Sequence, residues 1–238
     1  MSTFALVHGA WHGAWCWERL VPELERRGHR TVAVDLPCDD PAATFADYAD
    51  GVARALDDTD DDVVVVGHSL GGMTIPLVAA RRPVRVLIYL CAYVPIPGAG
   101  MVEQLQAEPD TFVPGYEKGL APPDESRARR WADFAIAHET MYGDCTEADA
   151  RWAFERLRPQ ATGAYRVPCP LDALPSVPSQ YIVCAEDRIV DPGGGRRVAA
   201  ERLGVEAIEL PGSHSPYLSR PAALAGVLEE AAQVPDAA

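Results

Sequence analysis

The chain has 238 residues, and 35 acidic against 21 basic residues give it a formal net charge of −14. This length fits one domain with a sizeable core, and a hydrophobic fraction of 48% excludes a disordered chain. The acidic balance disfavours nucleic acids and anionic membrane surfaces as partners.

Strands and helices alternate through the first part of the chain. Apolar and β-branched runs predict four strands, over residues 3–7, 30–36, 63–66 and 84–90. Helical spacing of apolar residues predicts a helix that ends at Gly28 and another that Thr44 caps. A third helix is expected after Ser69, shortened or kinked by Pro76. The acidic run 57–62 is predicted to be a solvated turn.

This alternation stops between residues 95 and 176 and then resumes. The interrupting segment is rich in proline and charge, and we expect a helical insertion there, with helices over about 124–138 and 146–157 and no strand. Beyond it the pattern predicts strands 180–184 and 205–210, and helices over 192–203 and from Arg220. The prediction is an α/β fold with a mostly parallel sheet of about six strands and helices on both faces. Residues 1–94 and 177–238 would form the core, and residues 95–176 the insertion.

Residues 67–71 read Gly-His-Ser-Leu-Gly and match the G-x-S-x-G pattern of a nucleophile elbow. The motif follows the predicted strand 63–66 and precedes a helix, which is the context that this turn requires. The turn is strained, and the small residues Gly67 and Gly71 leave the space that it needs. Ser69 is therefore the predicted nucleophile, and a glycine-rich turn with a bystander serine is the alternative.

A serine hydroxyl is a poor nucleophile unless a base removes its proton, and the chain offers six histidines. His68 stands beside Ser69 inside the turn, where the backbone points its side chain away. His214 follows the last predicted strand, in the kind of loop where a doubly wound sheet places groups that face a ligand. We therefore predict that His214 is the base.

The base needs a carboxylate that fixes its tautomer and stabilises the imidazolium. Asp187 lies in the loop after the predicted strand 180–184 and is the favoured residue. Asp191 precedes Pro192 and is better explained as a helix N-cap, while Glu186 is a weaker third candidate.

Acyl transfer also requires backbone N–H donors for the oxygen that gains negative charge. The first expected donor is the N–H of Leu70, directly after the nucleophile. The second is the N–H of Ala10, in the loop after the first strand, where Gly9 permits a tight backbone path.

Residues 6–17 read LVHGAWHGAWCW and resemble the opening of the plant methylesterase and hydroxynitrile lyase family and its bacterial esterase relatives. The elbow, the Glu186-Asp187-Arg188 segment and Ser213-His214 fit the same pattern. The resemblance implies an α/β-hydrolase fold with a small helical cap, and hydrolysis of carboxylic esters without a cofactor. Hydroxynitrile lyases of this family carry threonine where Ala10 stands and lysine where Ser215 stands, so hydrolysis is favoured.

The insertion at residues 95–176 would be this cap, and we expect it to determine which substrates are accepted. Four aromatic residues are candidates for substrate binding: Trp11, Trp131, Phe134 and Tyr142. The last three lie in the cap and could equally form its own small core. We expect a small, largely apolar or aromatic ester as substrate and a monomer or homodimer. Thioester hydrolysis, carbon–carbon hydrolysis, cyanohydrin cleavage and a non-catalytic small-ligand receptor remain alternatives.

Cysteine usage and the start of the chain bear on metals and location. Six scattered cysteines form no C-x-x-C pair, so we expect free thiols and no metal. No stretch approaches the roughly 18 apolar residues of a membrane span. The chain opens on an apolar strand without a basic leader, which predicts a cytoplasmic protein.

Overall fold

A six-stranded parallel sheet forms the centre of the protein, which a computed structural model describes over residues 1–59 and 62–233. The strand order is β2-β1-β3-β4-β5-β6, with β1 Thr3–Val7, β2 Arg30–Val34, β3 Val63–His68, β4 Val86–Leu90, β5 Ser179–Cys184 and β6 Ile208–Leu210. Every residue of β1, β3 and β4 is buried, as in sheets that helices cover on both faces. The predicted α/β fold and its six-stranded sheet are confirmed.

Helices fill the connections between the strands. In the described parts of the chain they are α1 Val21–Arg26, α2 Phe45–Ala55, α3 Ile75–Ala79, α4 Met101–Ala107, α5 Phe134–Met141, α6 Glu147–Phe154, α7 Pro192–Val198, α8 Pro216–Ser219 and α9 Pro221–Ala231. Of these, α4, α5 and α6 fall between β4 and β5, within the segment predicted as the cap. Within the described residues, no helix combines the length and apolar character that crossing a membrane requires.

A helix cap explains one of the differences between the predicted and observed boundaries. The helix predicted over 124–138 begins only at Phe134, because the Asp133 side chain accepts a hydrogen bond from the N–H of Ile136. Thr146 caps α6 in the same way. The helix α4 was not predicted. The strand predicted over 205–210 is limited to β6.

The segment after Ser69 is not one continuous helix. A short 3₁₀ helix covers Ser69–Met73, and α3 follows with Pro76 in its first turn, where the missing N–H of proline costs nothing. Gly28 ends the first helical region with φ of +84°, as predicted. Residues 60 and 61 of the predicted acidic turn lie outside the described residues.

The strand order places the predicted site at one edge of the sheet. The strands β1, β3, β5 and β6 run parallel, so the loops that follow them meet at their carboxyl ends. These four loops carry Ala10, Ser69, Asp187 and His214 respectively.

Candidate active site

Ser69 occupies a strained turn between β3 and the 3₁₀ helix, with φ of +51°. A side chain rarely adopts this left-handed conformation, and it occurs where the surrounding structure enforces it. A Cβ atom on Gly67 would lie 2.7 Å from Ile75 Cγ2, and one on Gly71 would lie 2.6 Å from the carbonyl oxygen of Val7. The turn therefore excludes larger residues at both glycines, as a nucleophile elbow does.

The structure brings Asp187 and His214 into direct contact. His214 Nδ1 lies 2.7 Å from Asp187 Oδ2, and both side chains are buried. The other carboxylate oxygen accepts hydrogen bonds from the N–H groups of Ile189 at 2.8 Å and Val190 at 3.1 Å. Because the carboxylate is an acceptor, Nδ1 of His214 carries the proton and Nε2 is left as the basic nitrogen.

The other two carboxylates considered for this role have other partners. Asp191 Oδ1 accepts a hydrogen bond at 2.8 Å from the N–H of Gly194 and thereby caps α7. The Glu186 side chain accepts from the N–H of Gly212. The geometry thus favours Asp187 as the partner of His214.

His68 connects the serine turn to the histidine loop. Its side chain is fully buried, and its Nε2–H donates to the carbonyl oxygen of His214 at 2.8 Å. Burial lowers the pKa of His68 well below its usual value, so the ring is neutral near pH 7. This hydrogen bond helps fix the His214 backbone relative to the residue next to Ser69.

The predicted oxyanion residues Ala10 and Leu70 line the same cavity as Ser69. The first loop packs so closely on the elbow that a Cβ atom on Gly9 would lie 2.9 Å from Ser69 Cβ. Glycine at position 9 therefore lets the loop backbone approach the nucleophile.

His8 holds the peptide group that contains the Ala10 N–H. Its Nδ1 donates to the carbonyl oxygen of Gly9 at 2.8 Å, and its Nε2 accepts the N–H of Leu36 at 3.0 Å. The Gly9 carbonyl and the Ala10 N–H belong to one planar peptide, so this bond orients and polarises the N–H. Burial lowers the pKa of His8 to about 4, which keeps this neutral tautomer in place at pH 7.

We expect His8→Leu to lower kcat for p-nitrophenyl acetate roughly tenfold, less than the 10²–10³-fold loss of an oxyanion donor itself. His8→Asn is the matched variant, because its amide can still donate to the Gly9 carbonyl. It is expected to retain most of the activity, although both variants leave the Leu36 N–H unpaired. Equal kcat losses in two folded variants would contradict the positioning role.

Trp11 anchors the first loop to the segment predicted as the cap. It has φ of +63°, and its carbonyl oxygen accepts the N–H of Arg158 at 2.7 Å. Its Nε1–H donates to the carbonyl oxygen of Arg129 at 3.1 Å, and its backbone N–H points to Gln160 Oε1 at 3.4 Å. Sequence reasoning missed Gln160 and Arg158, since neither belongs to a local motif.

A cavity of about 300 Å³ opens beside Ser69. Its walls are mainly aromatic and aliphatic, and the residues with aromatic rings are Trp11, Tyr93, Phe112, Tyr116 and Tyr165. Small-molecule sites are commonly of this size and apolar character. Trp11 is thus placed on the cavity wall, as predicted for a substrate-binding residue.

The other three predicted substrate-binding aromatics lie away from the cavity lining. Trp131 packs edge-on against Trp11, with 5.7 Å between ring centroids. Phe134 packs in the same way against Phe154 at 5.5 Å. Tyr142 is fully buried, and its hydroxyl lies 2.9 Å from His12 Nε2. The rings of these three residues therefore contact other rings of the protein and are not part of the cavity lining.

His12 forms a buried polar network behind the first loop. Its Nδ1 donates to the carbonyl oxygen of Ala10 at 2.8 Å, and its Nε2 faces the hydroxyl groups of Tyr142 at 2.9 Å and Tyr217 at 3.1 Å. Burial lowers the pKa of His12 to about 3. His12 is therefore a neutral structural residue that supports the loop.

Among the described residues, one group of three side chains has metal-ligand spacing. The ligand atoms of Cys91, Asp187 and His214 lie within 4.8 Å of one another. Asp187 and His214 already share a hydrogen bond, so the donor set fits a catalytic couple better than a metal site. All six cysteines are free thiols, as predicted.

Comparisons with known proteins identify the family to which the chain belongs. A family model described as "Alpha/beta hydrolase family" matches residues 4–227. The pyrethroid hydrolase of Sphingobium wenxiniae is 32% identical, over 99% of this chain and 89% of that protein. The probable esterase PIR7A of Oryza sativa is 30% identical, over 94% of each. A crystal structure of a pyrethroid hydrolase from Sphingobium faniae has a TM-score of 0.79 at 29% identity, over 98% of each chain.

The family model covers most of the chain, and the two relatives span nearly the whole of it. The resemblance inferred from residues 6–17 and the elbow is confirmed. The chain therefore belongs to the alpha/beta hydrolase family and is a carboxylic ester hydrolase.

Proposed function

We propose that the protein hydrolyses small, largely apolar or aromatic esters through an acyl-enzyme formed on Ser69. The observation that carries the proposal is the buried Asp187–His214 hydrogen bond of 2.7 Å, at the same end of the sheet as a serine held at φ of +51°. The residue next to that serine, His68, donates a hydrogen bond to the His214 carbonyl oxygen. This is the arrangement that activates a serine for acyl transfer, in which a base is oriented by a carboxylate.

In the proposed mechanism His214 Nε2 takes the proton of Ser69 as its hydroxyl oxygen attacks the ester carbonyl carbon. The backbone N–H groups of Ala10 and Leu70 stabilise the resulting oxyanion, and Asp187 stabilises the imidazolium. His214 then gives its proton to the departing alkoxide. Water hydrolyses the acyl-enzyme by the same steps, so no cofactor is required.

The cavity supports the proposed substrate class. Its aromatic and aliphatic walls favour an apolar body, and a volume of about 300 Å³ limits its size. Residues 95–176 supply much of this wall, including Met101, Phe112 and Tyr165. We therefore keep this segment as the proposed cap that selects the substrate.

Covalent labelling tests whether Ser69 is the nucleophile. The protein is treated with diisopropyl fluorophosphate, digested and analysed by mass spectrometry. We expect one phosphoryl adduct, on the peptide that contains Ser69, together with loss of p-nitrophenyl acetate hydrolysis. Ser69→Ala should give no adduct. An inactivated protein labelled on another residue would contradict the assignment, and a folded, inert and unlabelled protein would favour the receptor alternative.

A further inference from the structure

The cavity beside Ser69 differs in charge from the protein as a whole. The chain has a net charge of −14, yet the described residues that line the cavity include Arg129 and Arg166 and no aspartate, glutamate or lysine. Cations that line a concave apolar site raise the local concentration of anions. The lining thus suits a ligand that carries a negative charge.

Arg129 is held in a defined position on the cavity wall. It is half-buried, and its Nε–H donates to the carbonyl oxygen of Ala121 at 3.3 Å. Its backbone pairs with that of Gln160 through hydrogen bonds of 2.9 and 3.0 Å, and its carbonyl oxygen accepts from Trp11. These bonds fix the residue beside the loop that carries Ala10.

The charge of Arg129 acts on a phenol of the cavity lining. Burial raises the pKa of the Tyr116 hydroxyl, Glu117 adds to that rise, and the positive charge of Arg129 opposes it. Tyr116 and Arg129 both line the cavity, so a ligand bound there would lie beside a residue that carries a positive charge.

Neither cavity arginine has its charge neutralised by the protein. Many arginines form ion pairs, such as Arg19 with Asp149 and Arg197 with Asp110. Within the described residues, no carboxylate lies at ion-pair distance from Arg129 or Arg166. Binding of an anion there would not have to displace an internal partner.

We propose that Arg129 and Arg166 bind a free carboxylate that the substrate carries in addition to the reacting ester. A planar guanidinium binds carboxylates through two parallel hydrogen bonds, and the apolar walls accept an aromatic or short aliphatic body. The substrate class is therefore an apolar ester that also carries one free carboxylate. This inference rests on the proposed attack of Ser69 on an ester in the same cavity.

Two matched esters test the carboxylate subsite. The first is 4-acetoxybenzoate, and the second is its methyl ester, in which the acid is masked. The measured quantity is the ratio of kcat/KM for the acid to kcat/KM for the methyl ester. Arg129→Gln is expected to lower this ratio about tenfold, because a charge-assisted hydrogen bond is lost. Arg166→Gln is expected to lower it severalfold, since this residue is exposed.

Arg130→Gln is the matched control. It removes the same charge from the neighbouring residue, which is exposed and does not belong to the cavity lining. We expect it to leave the ratio unchanged. An equal fall of the ratio in the Arg130 variant would show a general charge effect and overturn the subsite, as would an unchanged ratio in Arg129→Gln.

Direct binding separates this inference from the proposed mechanism. Ser69→Ala protein, which should not turn the ester over, is titrated with 4-acetoxybenzoate by calorimetry, with and without Arg129→Gln. We expect about tenfold weaker binding in the double variant. If the wild type hydrolyses neither ester but this binding difference is found, the subsite stands and the proposed function fails. If the wild type hydrolyses both esters and binding is insensitive to Arg129, the proposed function stands and the subsite is wrong.

Discussion

Replacing Ser69 with alanine is expected to lower kcat/KM for p-nitrophenyl acetate by about 10³-fold or more. The variant loses the only atom proposed to attack the carbonyl, while the backbone N–H groups and the cavity remain. Circular dichroism and thermal unfolding check that the variant is folded. Alanine is compatible with the small space at the turn, so stability is expected to change little.

Asp187→Asn provides the second part of the same prediction. The amide oxygen can still accept the N–H groups of Ile189 and Val190, but the amide nitrogen would then face His214 Nδ1–H. Two donors repel, so the imidazole is driven to the wrong tautomer, and we expect activity to fall by about 10²–10⁴-fold. Adding Ser69→Ala should cause little further loss, because the residues act as a unit.

Asp191→Asn is the matched control for the acid. Asp191 lies four residues from Asp187 but caps α7, and asparagine is an equally good N-cap. Its activity and stability should resemble those of the wild type. Activity that survives Ser69→Ala, or a control that loses as much activity as Asp187→Asn, would contradict the assigned triad.

Lowering the pH below 6.5 is expected to destabilise the fold, and this loss begins at a higher pH than the titration of ordinary carboxylates. Burial holds the pKa of His8 at about 4 and that of His12 at about 3, against 6.5 for an exposed histidine. Their neutral forms therefore contribute full stability above pH 6.5. As the pH falls below 6.5 the unfolded chain binds protons that the folded protein cannot, and stability is lost.

The size of this loss follows from the two pKa values. Between pH 7.5 and pH 5 each histidine lowers the free energy of unfolding by about 2 kcal/mol, so the expected loss is roughly 4 kcal/mol. His68, whose pKa burial also lowers, acts in the same direction. Urea unfolding at pH 7.5, 6 and 5 measures the change.

His8→Asn should reduce the loss of stability between pH 7.5 and pH 5 by about half. His138→Gln, at a half-buried site in α5, serves as the control. A flat stability profile over this range would contradict the expectation.

The local motifs were enough to propose the three candidate catalytic residues, because each residue follows a predicted strand. Ser69 is identified by glycines on both sides and a strand before it. Asp187 and His214 each follow a strand whose parallel arrangement brings the loops together. The pairing that gives their 2.7 Å contact followed from the alternation of strands and helices together with the argument that Asp191 is an N-cap.

The cavity walls and supporting histidines could not be predicted in this way. Whether Trp131 faces the substrate or packs on Trp11 depends on how residues distant in sequence fold together. The role of His8 depends on a tautomer that only its two partners determine, one of which, Leu36, is 28 positions away. The predicted start of α5 was wrong for a simpler reason, because Asp133 was not recognised as its N-cap.

Trp11 forms three hydrogen bonds with one part of the proposed cap and none of these with α4. The two parts should therefore differ in how well they accept substitutions. The segments around Arg129 and 158–160 are hydrogen-bonded to the loop proposed to stabilise the oxyanion. Changes to their backbone are therefore expected to disturb the proposed catalysis together with substrate recognition. Met101 and Leu105 on α4 reach the cavity from another element. A library for altered substrate preference should therefore vary α4 first and keep the backbone around Arg129 and 158–160 as it is.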